Sequence, residues 1–247
     1  MKVLVLGAGQ LARMMSLAGT PLNLKVSAYD VNSDTIVDPV TQLQLGTGLA
    51  QAIANADVIT SEFEHIPYPV QELCQQSGKF LPNSTAIKAG GDRRQEKQLV
   101  DKAGVTNAAY KIVVTEQDFY QAIEQLGLPL VLKSALAGYD GKGQVRVNTR
   151  TELAVALAQL QNGHADVVCI LEKRLPLAGE CSVVLARGQD GDCVYLPVQL
   201  NQHRDGILAI TEVFEDAMPA TTAQHAIDAA THIARELDYV GVLAFEF

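Results

Sequence analysis

Positive charge is scarce in this sequence: 19 Lys and Arg stand against 28 Asp and Glu, a formal net charge of −9. Broad, nonspecific nucleic-acid binding needs a basic face, so that class of function is disfavoured, while a small basic pocket for a phosphorylated metabolite is not. No apolar run reaches about 18 residues, so no membrane span is expected. The four cysteines, Cys74, Cys169, Cys181 and Cys193, show no CxxC spacing. That argues against zinc and against disulfides, and for reduced, mostly buried thiols in a cytoplasmic protein. The N-terminus, MKVLVLGAGQ, runs straight into a glycine turn without the longer apolar region of a signal peptide. Internal repeats and low-complexity segments are lacking too. What remains is 247 residues, 48% apolar and 19% charged, enough for one or two globular domains.

The first third alternates. KVLVLG (2–7) reads as a buried parallel strand, GQLARMMSLAGTPLN as a helix stopping at Gly19 and Pro21, and LKVSAYD (24–30) as a second strand. A short helix and a third strand, DVITSEFE (57–64), follow, which is the start of a doubly wound sheet. Residues 81–105 read as mostly helical, a linker. Beyond it the pattern is strand KIVVT, helix EQDFYQAIEQLG, strand LPLVLKSA, and the alternating strand QVRVN after a glycine-rich loop. Thr149 and Glu152 have capping-box spacing ahead of a helix ending at Asn162-Gly163. ADVVCILEKRL, GECSVVLARG and CVYLPVQLN read as further strands with a hairpin-like turn at 188–191, then a helix over 222–238 and a closing strand, YVGVLAFEF.

Two glycine signals carry chemistry. GAGQLA (7–12) fits GxGxxG/A, with Asp30 ending the next strand where a dinucleotide fold places its ribose carboxylate. The plainer alternative is a tight strand–helix turn whose helix N-terminus is open to any ligand, with the Gln10 amide suited to substrate contact. The second signal, LVLKSALAGYDGKGQVRV (130–147), puts Gly138, Gly141 and Gly143 between two strand-like segments. A Walker loop would run into a helix; this one runs into a strand, so the geometry is a hairpin flap offering N–H groups to phosphates, with Lys133 beneath it. The alternative is a flexible turn and a solvated lysine. Leu171–Leu175 (LEKRL) reads as a hinge whose backbone can pair with adenine, Glu180 as a carboxylate for ribose hydroxyls, and His203 lies beside a turn. Glu246 sits on a strand with apolar neighbours, where a carboxylate is costly unless paired or on a metal. Of Glu62 and Glu64, alternating on a strand end, only one can face a site, and Glu62 is preferred. His65, His225 and His232 read as loop or surface residues.

The lysine strand, glycine flap, E-K-x-L hinge, G-E pair and late glutamate resemble the ATP-grasp superfamily. Within it, GAGQLARMM, SEFEHIP (61–67), AGYDGKGQ and HRDGIL are similar to the 5-(carboxyamino)imidazole ribonucleotide synthase family, over essentially the whole chain. The resemblance implies a Rossmann-like pre-ATP-grasp domain (1–104) and an α+β ATP-grasp domain of antiparallel sheets (105–247), with a lid lobe over about 110–172 and a second lobe over 173–247. It implies ATP- and bicarbonate-dependent carboxylation of aminoimidazole ribonucleotide in purine biosynthesis: carboxyphosphate forms, releases carbon dioxide, and the exocyclic amine captures it. By the same resemblance Arg93, Lys133, Gly138, Tyr139, Asp140, Gly141, Lys142, Gly143, Gln144, Glu172, Lys173, Arg174, Leu175, Glu180 and His203 contact ATP. Gln10, Leu11, Glu62 and Tyr139 face the imidazole ribonucleotide, and Glu246 binds magnesium or manganese. Asp140 is the candidate base for the amine, with Lys133 as its catalytic partner on the phosphates. The full-length protein is expected to be a cytoplasmic homodimer.

Two features depart from the family. Ala137 stands where a glycine is usual. The chain ends at Phe247, whereas the family continues with an asparagine-glutamate pair and a small C-terminal domain, so this chain is expected to be C-terminally incomplete; if that part is truly absent, weak nucleotide binding and little or no turnover are expected. The alternatives are a formate-dependent relative of the glycinamide ribonucleotide transformylase type, where a glutamate is expected in place of Gln10, an NAD-dependent oxidoreductase built on GAGQLA, and a non-catalytic ATP-binding fragment.

Overall fold

The computed structural model describes residues 1–136, 143–161, 168–204, 207–214 and 218–247. The expected end of a helix at Asn162-Gly163 and most of the glycine flap lie outside them. The chain forms two compact units: residues 1–88 with 187–191 and 237–241, and residues 89–186 with 192–236 and 242–247. Position 104, the domain boundary expected from the resemblance, falls in the second unit, in the turn after a helix.

In the first unit β1 (Lys2–Leu6) lies between β2 (Lys25–Asp30) and β4 (Val58–Ser61), parallel to both. Its apolar run is explained by burial on two faces. Leu4 and Leu6 join a cluster with Tyr29, Ile53, Ile59, Cys74 and Phe80, while Val5 packs with Ala12, Ala28 and Val37 on the other side. Helix α1 (Gln10–Gly19) supplies Ala12, and α2 (Leu49–Asn55) and α3 (Tyr68–Gln76) cover the opposite face. An edge strand not anticipated from sequence, β3 (Thr35–Val37), pairs antiparallel with β2. Its connection is a tight turn in which Asp30 accepts from Asn32 N–H (2.9 Å) and the Ser33 hydroxyl (2.7 Å).

The expected helical linker is two helices, α4 (Ser84–Gly91) and α5 (Arg93–Lys102). Two glycines weaken the helix at its middle, and Asp92, in extended conformation, starts a new one by accepting from Arg94 N–H. In the second unit β5 (Tyr110–Val113), β8 (Cys169–Lys173), β6 (Leu130–Ser134) and β7 (Gln144–Val147) form a fully antiparallel sheet in that order. One face buries Val113, Leu130, Leu132, Val147 and Leu171 against Phe119, Ala122 and Ile123 of α6 (Glu116–Leu126) and Leu153 and Ala156 of α7 (Glu152–Gln161). The other face holds the polar residues that matter below.

A further sheet runs β10 (Cys193–Tyr195), β9 (Glu180–Arg187), β11 (Gln199–Arg204), β12 (Ile207–Glu212), with β13 (Gly241–Glu246) also on β9 and α8 (Ala220–Glu236) in the same unit. CVYLPVQLN, expected as one strand, is two. Pro197 has no N–H to donate to a ladder, and the strand breaks around it. The cysteines are all thiols, three of them buried. No helix among the described residues is long and apolar enough to cross a membrane.

Phe119 is 1% exposed in the core under the antiparallel sheet. Phe119→Ala is expected to cost about 4 kcal/mol in urea denaturation, through lost burial and an unfilled cavity; a loss under about 1 kcal/mol would mean this core is not closely packed.

Candidate functional site

In the first unit the site residues gather where β1 meets α1. The chain leaves β1 through Gly7 at φ +107°, a conformation open to glycine. The expected strand over 57–64 stops at Ser61, so Glu62 and Glu64 do not alternate on a strand. Glu62 instead turns back over the glycines: its Oε1 accepts from Gly9 N–H at 2.5 Å and its Oε2 from Ala12 N–H at 2.8 Å. A carboxylate therefore caps the positive end of α1. Glu64 pairs with His65, and both are well exposed. Gln10 and Leu11 are exposed on the first turn of α1. This arrangement corrects the dinucleotide alternative: the N–H groups a pyrophosphate would need already donate to Glu62, and Asp30 is committed to its own turn, its carboxyl held below the usual value by the Ser33 hydroxyl and the Asn32 N–H.

The second unit carries a denser cluster. Val131 of β6 stands opposite Glu172 of β8, and Lys133, two residues on, shares that face. Lys133 Nζ donates to Glu172 Oε2 at 2.8 Å. From α5, Lys97 Nζ lies 3.2 Å from Glu172 Oε1 and donates to Asn107 Oδ1 at 2.6 Å. The side chains of Glu172, Lys97 and Lys133 are only 7%, 13% and 22% exposed. Burial pushes the Glu172 carboxyl up, but Lys133 and Lys97 together outweigh it and hold the group below the ordinary glutamate range. Two ammonium groups and one carboxylate leave a net charge of +1 in a desolvated place. Lys97 and Asn107 were not anticipated: a lysine on a polar helix looks solvated in sequence, and its contacts with Glu172, Asn107 and the Tyr110 ring show otherwise.

The rest of the hinge is partly committed. Lys173 Nζ donates to the carbonyls of Gly127 (3.1 Å) and Leu128 (2.9 Å), and its N–H donates to Ala109 O. Arg174 N–H donates to Pro129 O, and its side chain reaches Asn148. Neither Lys173 nor Arg174 thus has a main-chain N–H open to adenine, and Leu175 follows half-exposed. Arg93 begins α5, its N–H donating to Ala135 O, while Arg94 closes on the buried Asp92. The strands flanking the flap pair as expected, Lys133 opposite Gln144, with Ser134 N–H donating to Gly143 O. Ala137, Gly138, Tyr139, Asp140, Gly141 and Lys142 lie outside the described residues. On the other sheet Glu180 and His203, from adjacent strands β9 and β11, meet at 2.9 Å.

Glu246 corrects an expectation. Its neighbours in sequence, Phe245 and Phe247, are apolar as read, but at the end of β13 Glu246 is exposed, so the burial cost argued for it does not arise. Among the described residues no three His, Cys, Asp or Glu side chains converge as a metal cage. One exposed carboxylate fits a cation that takes its other oxygens from phosphates and water, and does not by itself make a resident metal centre.

Two substitutions probe these clusters. At Gly7 a Cβ would lie 2.5 Å from Glu62 Cγ and 2.5 Å from Phe63 Cε1. Gly7→Ala is expected to cost about 3 kcal/mol in urea denaturation, and a neutral effect would mean the turn can rearrange. Glu172→Gln leaves two buried ammonium groups without a counter-charge and is expected to cost about 3 kcal/mol at pH 7. The Glu172 carboxyl titrates lower in the fold than unfolded, so its contribution is complete above the unfolded value of about 4.3 and is lost as pH falls through the folded value. The gap between wild type and Glu172→Gln should close on acidification; a gap unchanged at pH 3 would show that ionisation of Glu172 is not what the lysines stabilise.

Both parts of the chain match known domain families. Residues 98–247 match the ATP-grasp domain and residues 1–90 the ribonucleotide synthetase preATP-grasp domain. N5-carboxyaminoimidazole ribonucleotide synthase of Vibrio parahaemolyticus is 50% identical over 250 residues, covering 100% of this chain and 66% of the relative. The Pseudomonas aeruginosa protein of the same name is 34% identical, covering 100% of this chain and 68% of its own length. The structure of the Aspergillus clavatus synthase in complex with ADP and 5-aminoimidazole ribonucleotide aligns with a TM-score of 0.83 at 25% identity, over 99% of this chain and 65% of that one. The chain thus spans about two thirds of the proteins it matches, and it belongs to the ATP-grasp family, grouping there with the N5-carboxyaminoimidazole ribonucleotide synthases.

Proposed function

We propose that this chain forms the nucleotide-binding and substrate-binding part of a ligase that uses ATP and bicarbonate to carboxylate 5-aminoimidazole ribonucleotide, through carboxyphosphate, to N5-carboxyaminoimidazole ribonucleotide. The observation that carries the reading is the desolvated +1 cluster of Lys97, Glu172 and Lys133 on the β6–β8 face of an ATP-grasp domain. Surplus positive charge in a buried place is costly without an anion beside it, and a polyphosphate supplies one.

In this reading Lys133 meets a phosphate oxygen, Arg93 adds a second cation, and the flap from Gly138 to Gln144 offers N–H groups. Residues 172–175 border the adenine, with Leu175 the residue best placed to donate, since the N–H groups of Lys173 and Arg174 are already used. Glu180, steadied by His203, accepts from ribose hydroxyls. Glu246 would offer one oxygen to a bound Mg²⁺, which would supply charge to offset that of the phosphates. In the first unit Glu62 fixes the N-terminus of α1, which sets the direction in which Gln10 and Leu11 project toward the imidazole ribonucleotide. By the resemblance, Tyr139 also contacts the imidazole ribonucleotide and Asp140 takes the amine proton. The name and bound ligands of the A. clavatus structure support this choice of substrate. A homodimeric, cytoplasmic full-length protein belongs to the same reading and rests on the resemblance alone.

Isothermal titration with MgATP tests the nucleotide site: wild type is expected to bind and Lys133→Ala to lose about tenfold or more in affinity, since it removes a charge-assisted contact. Phosphate release from MgATP, in the full-length protein carrying this segment, is expected to require bicarbonate with 5-aminoimidazole ribonucleotide. Stimulation by formate with glycinamide ribonucleotide instead would transfer the chain to the formate-dependent relatives.

A further inference from the structure

Glu172 is held by two cations from different elements, and the reading above gives the second, Lys97, a share of the surplus charge but no contact of its own with the nucleotide. Lys133 Nζ is bonded to Oε2 at 2.8 Å. If that ammonium moves to a phosphate oxygen, the bond lengthens, and a carboxylate 7% exposed is left to whatever cation remains. Buried carboxylates tolerate that poorly. Lys97 Nζ is already 3.2 Å from the other oxygen, Oε1, which accepts no aligned hydrogen bond from any described residue. A small rotation of either group converts the ion pair into a hydrogen bond. Lys97 is itself steadied, donating to Asn107 Oδ1 at 2.6 Å with its ammonium 5.7 Å from the centre of the Tyr110 ring. The Tyr110 hydroxyl turns away to Asp101, so the ionisable groups facing Glu172 from α5 and β6 are Lys97 and Lys133.

We propose that Lys97 is a positioning residue of the nucleotide site: it keeps Glu172 neutralised when Lys133 moves to a phosphate, so that Lys133 changes partners without stranding a buried carboxylate. The proposal rests on the reading of Lys133 as a phosphate contact. It makes the fixed pair Lys97–Glu172 and the exchanging pair Lys133–Glu172 different in kind. Lys97→Met should therefore weaken nucleotide binding only where residue 172 carries a charge.

The test is a double-mutant cycle read by isothermal titration with MgATP, with circular dichroism melts without nucleotide to establish folding. Lys97→Met is expected to weaken binding by about tenfold and Lys97→Arg to recover most of the loss. In the Glu172→Gln background Lys97→Met should have no further effect, because no buried anion remains to be balanced. An equal loss in both backgrounds, or no loss in either, overturns the role of Lys97 while leaving the nucleotide reading intact, provided Lys133→Ala still weakens binding. A wild type that does not bind MgATP, or a Lys133→Ala variant that binds as wild type does, overturns that reading and this proposal with it. Should Lys97→Met not fold, Lys97→Gln replaces it; if neither folds, Lys97 is a structural residue and the proposal falls.

Discussion

The second unit is organised around one buried carboxylate. Glu172 sits in the middle of a four-stranded sheet, between β5 and β6, on the face that the helices α6 and α7 leave uncovered. A lone carboxylate there would be neutralised by taking up a proton. Two lysines prevent that, and their combined charge exceeds what the carboxylate needs. An anion-binding place is thus made from main-chain regularity plus three side chains: antiparallel pairing fixes Lys133 and Glu172 on one face, and a helix brings the third group over them. The nucleotide chemistry proposed for this chain draws on that surplus.

The first unit solves the opposite problem. The N-terminus of α1 exposes backbone donors that attract an anion, and the chain provides its own in Glu62. The glycines here are needed less for a ligand than for the carboxylate, since a side chain at Gly7 or Gly9 would collide with it. A motif that spells a dinucleotide site in one dimension is closed in three by a residue more than fifty positions away. The same device sets the orientation of the first helical turn, which is where the substrate-facing residues Gln10 and Leu11 stand.

Much of this was readable from the chain. The buried run of β1, the glycine punctuation and the paired strands about the flap are local signals, and each appears where expected. The legible part of the site was likewise local: Lys133 on the strand entering the flap and Gln144 on the strand leaving it, whereas the meeting of Glu180 with His203 across two strands was not foreseen. What failed to show depended on distant packing. Lys97 looks like any exposed lysine on a charged helix until its side chain is seen to reach Glu172 on β8 and the Tyr110 ring on β5. Glu62 was preferred for a strand alternation that does not exist, because β4 ends one residue earlier. The cost inferred for Glu246 came from its apolar neighbours in sequence, whereas β13 buries alternate residues only in part and leaves Glu246 exposed. Pro197 is a local signal whose effect on a strand was not weighed.

One connection at the start of α5 sets a limit on how this region can vary. Asp92 bridges to Leu136 and Arg93 N–H donates to Ala135 O, so the helix is moored to the far end of the strand that bears Lys133. From that mooring Lys97 is reached after little more than one helical turn. Each residue added or removed in between would swing its side chain by roughly 100° around the axis and carry the ammonium off the sheet. The segment can thus exchange residue types at its outward positions, but its length is geared to the strand beside it, as a key is cut to a fixed depth.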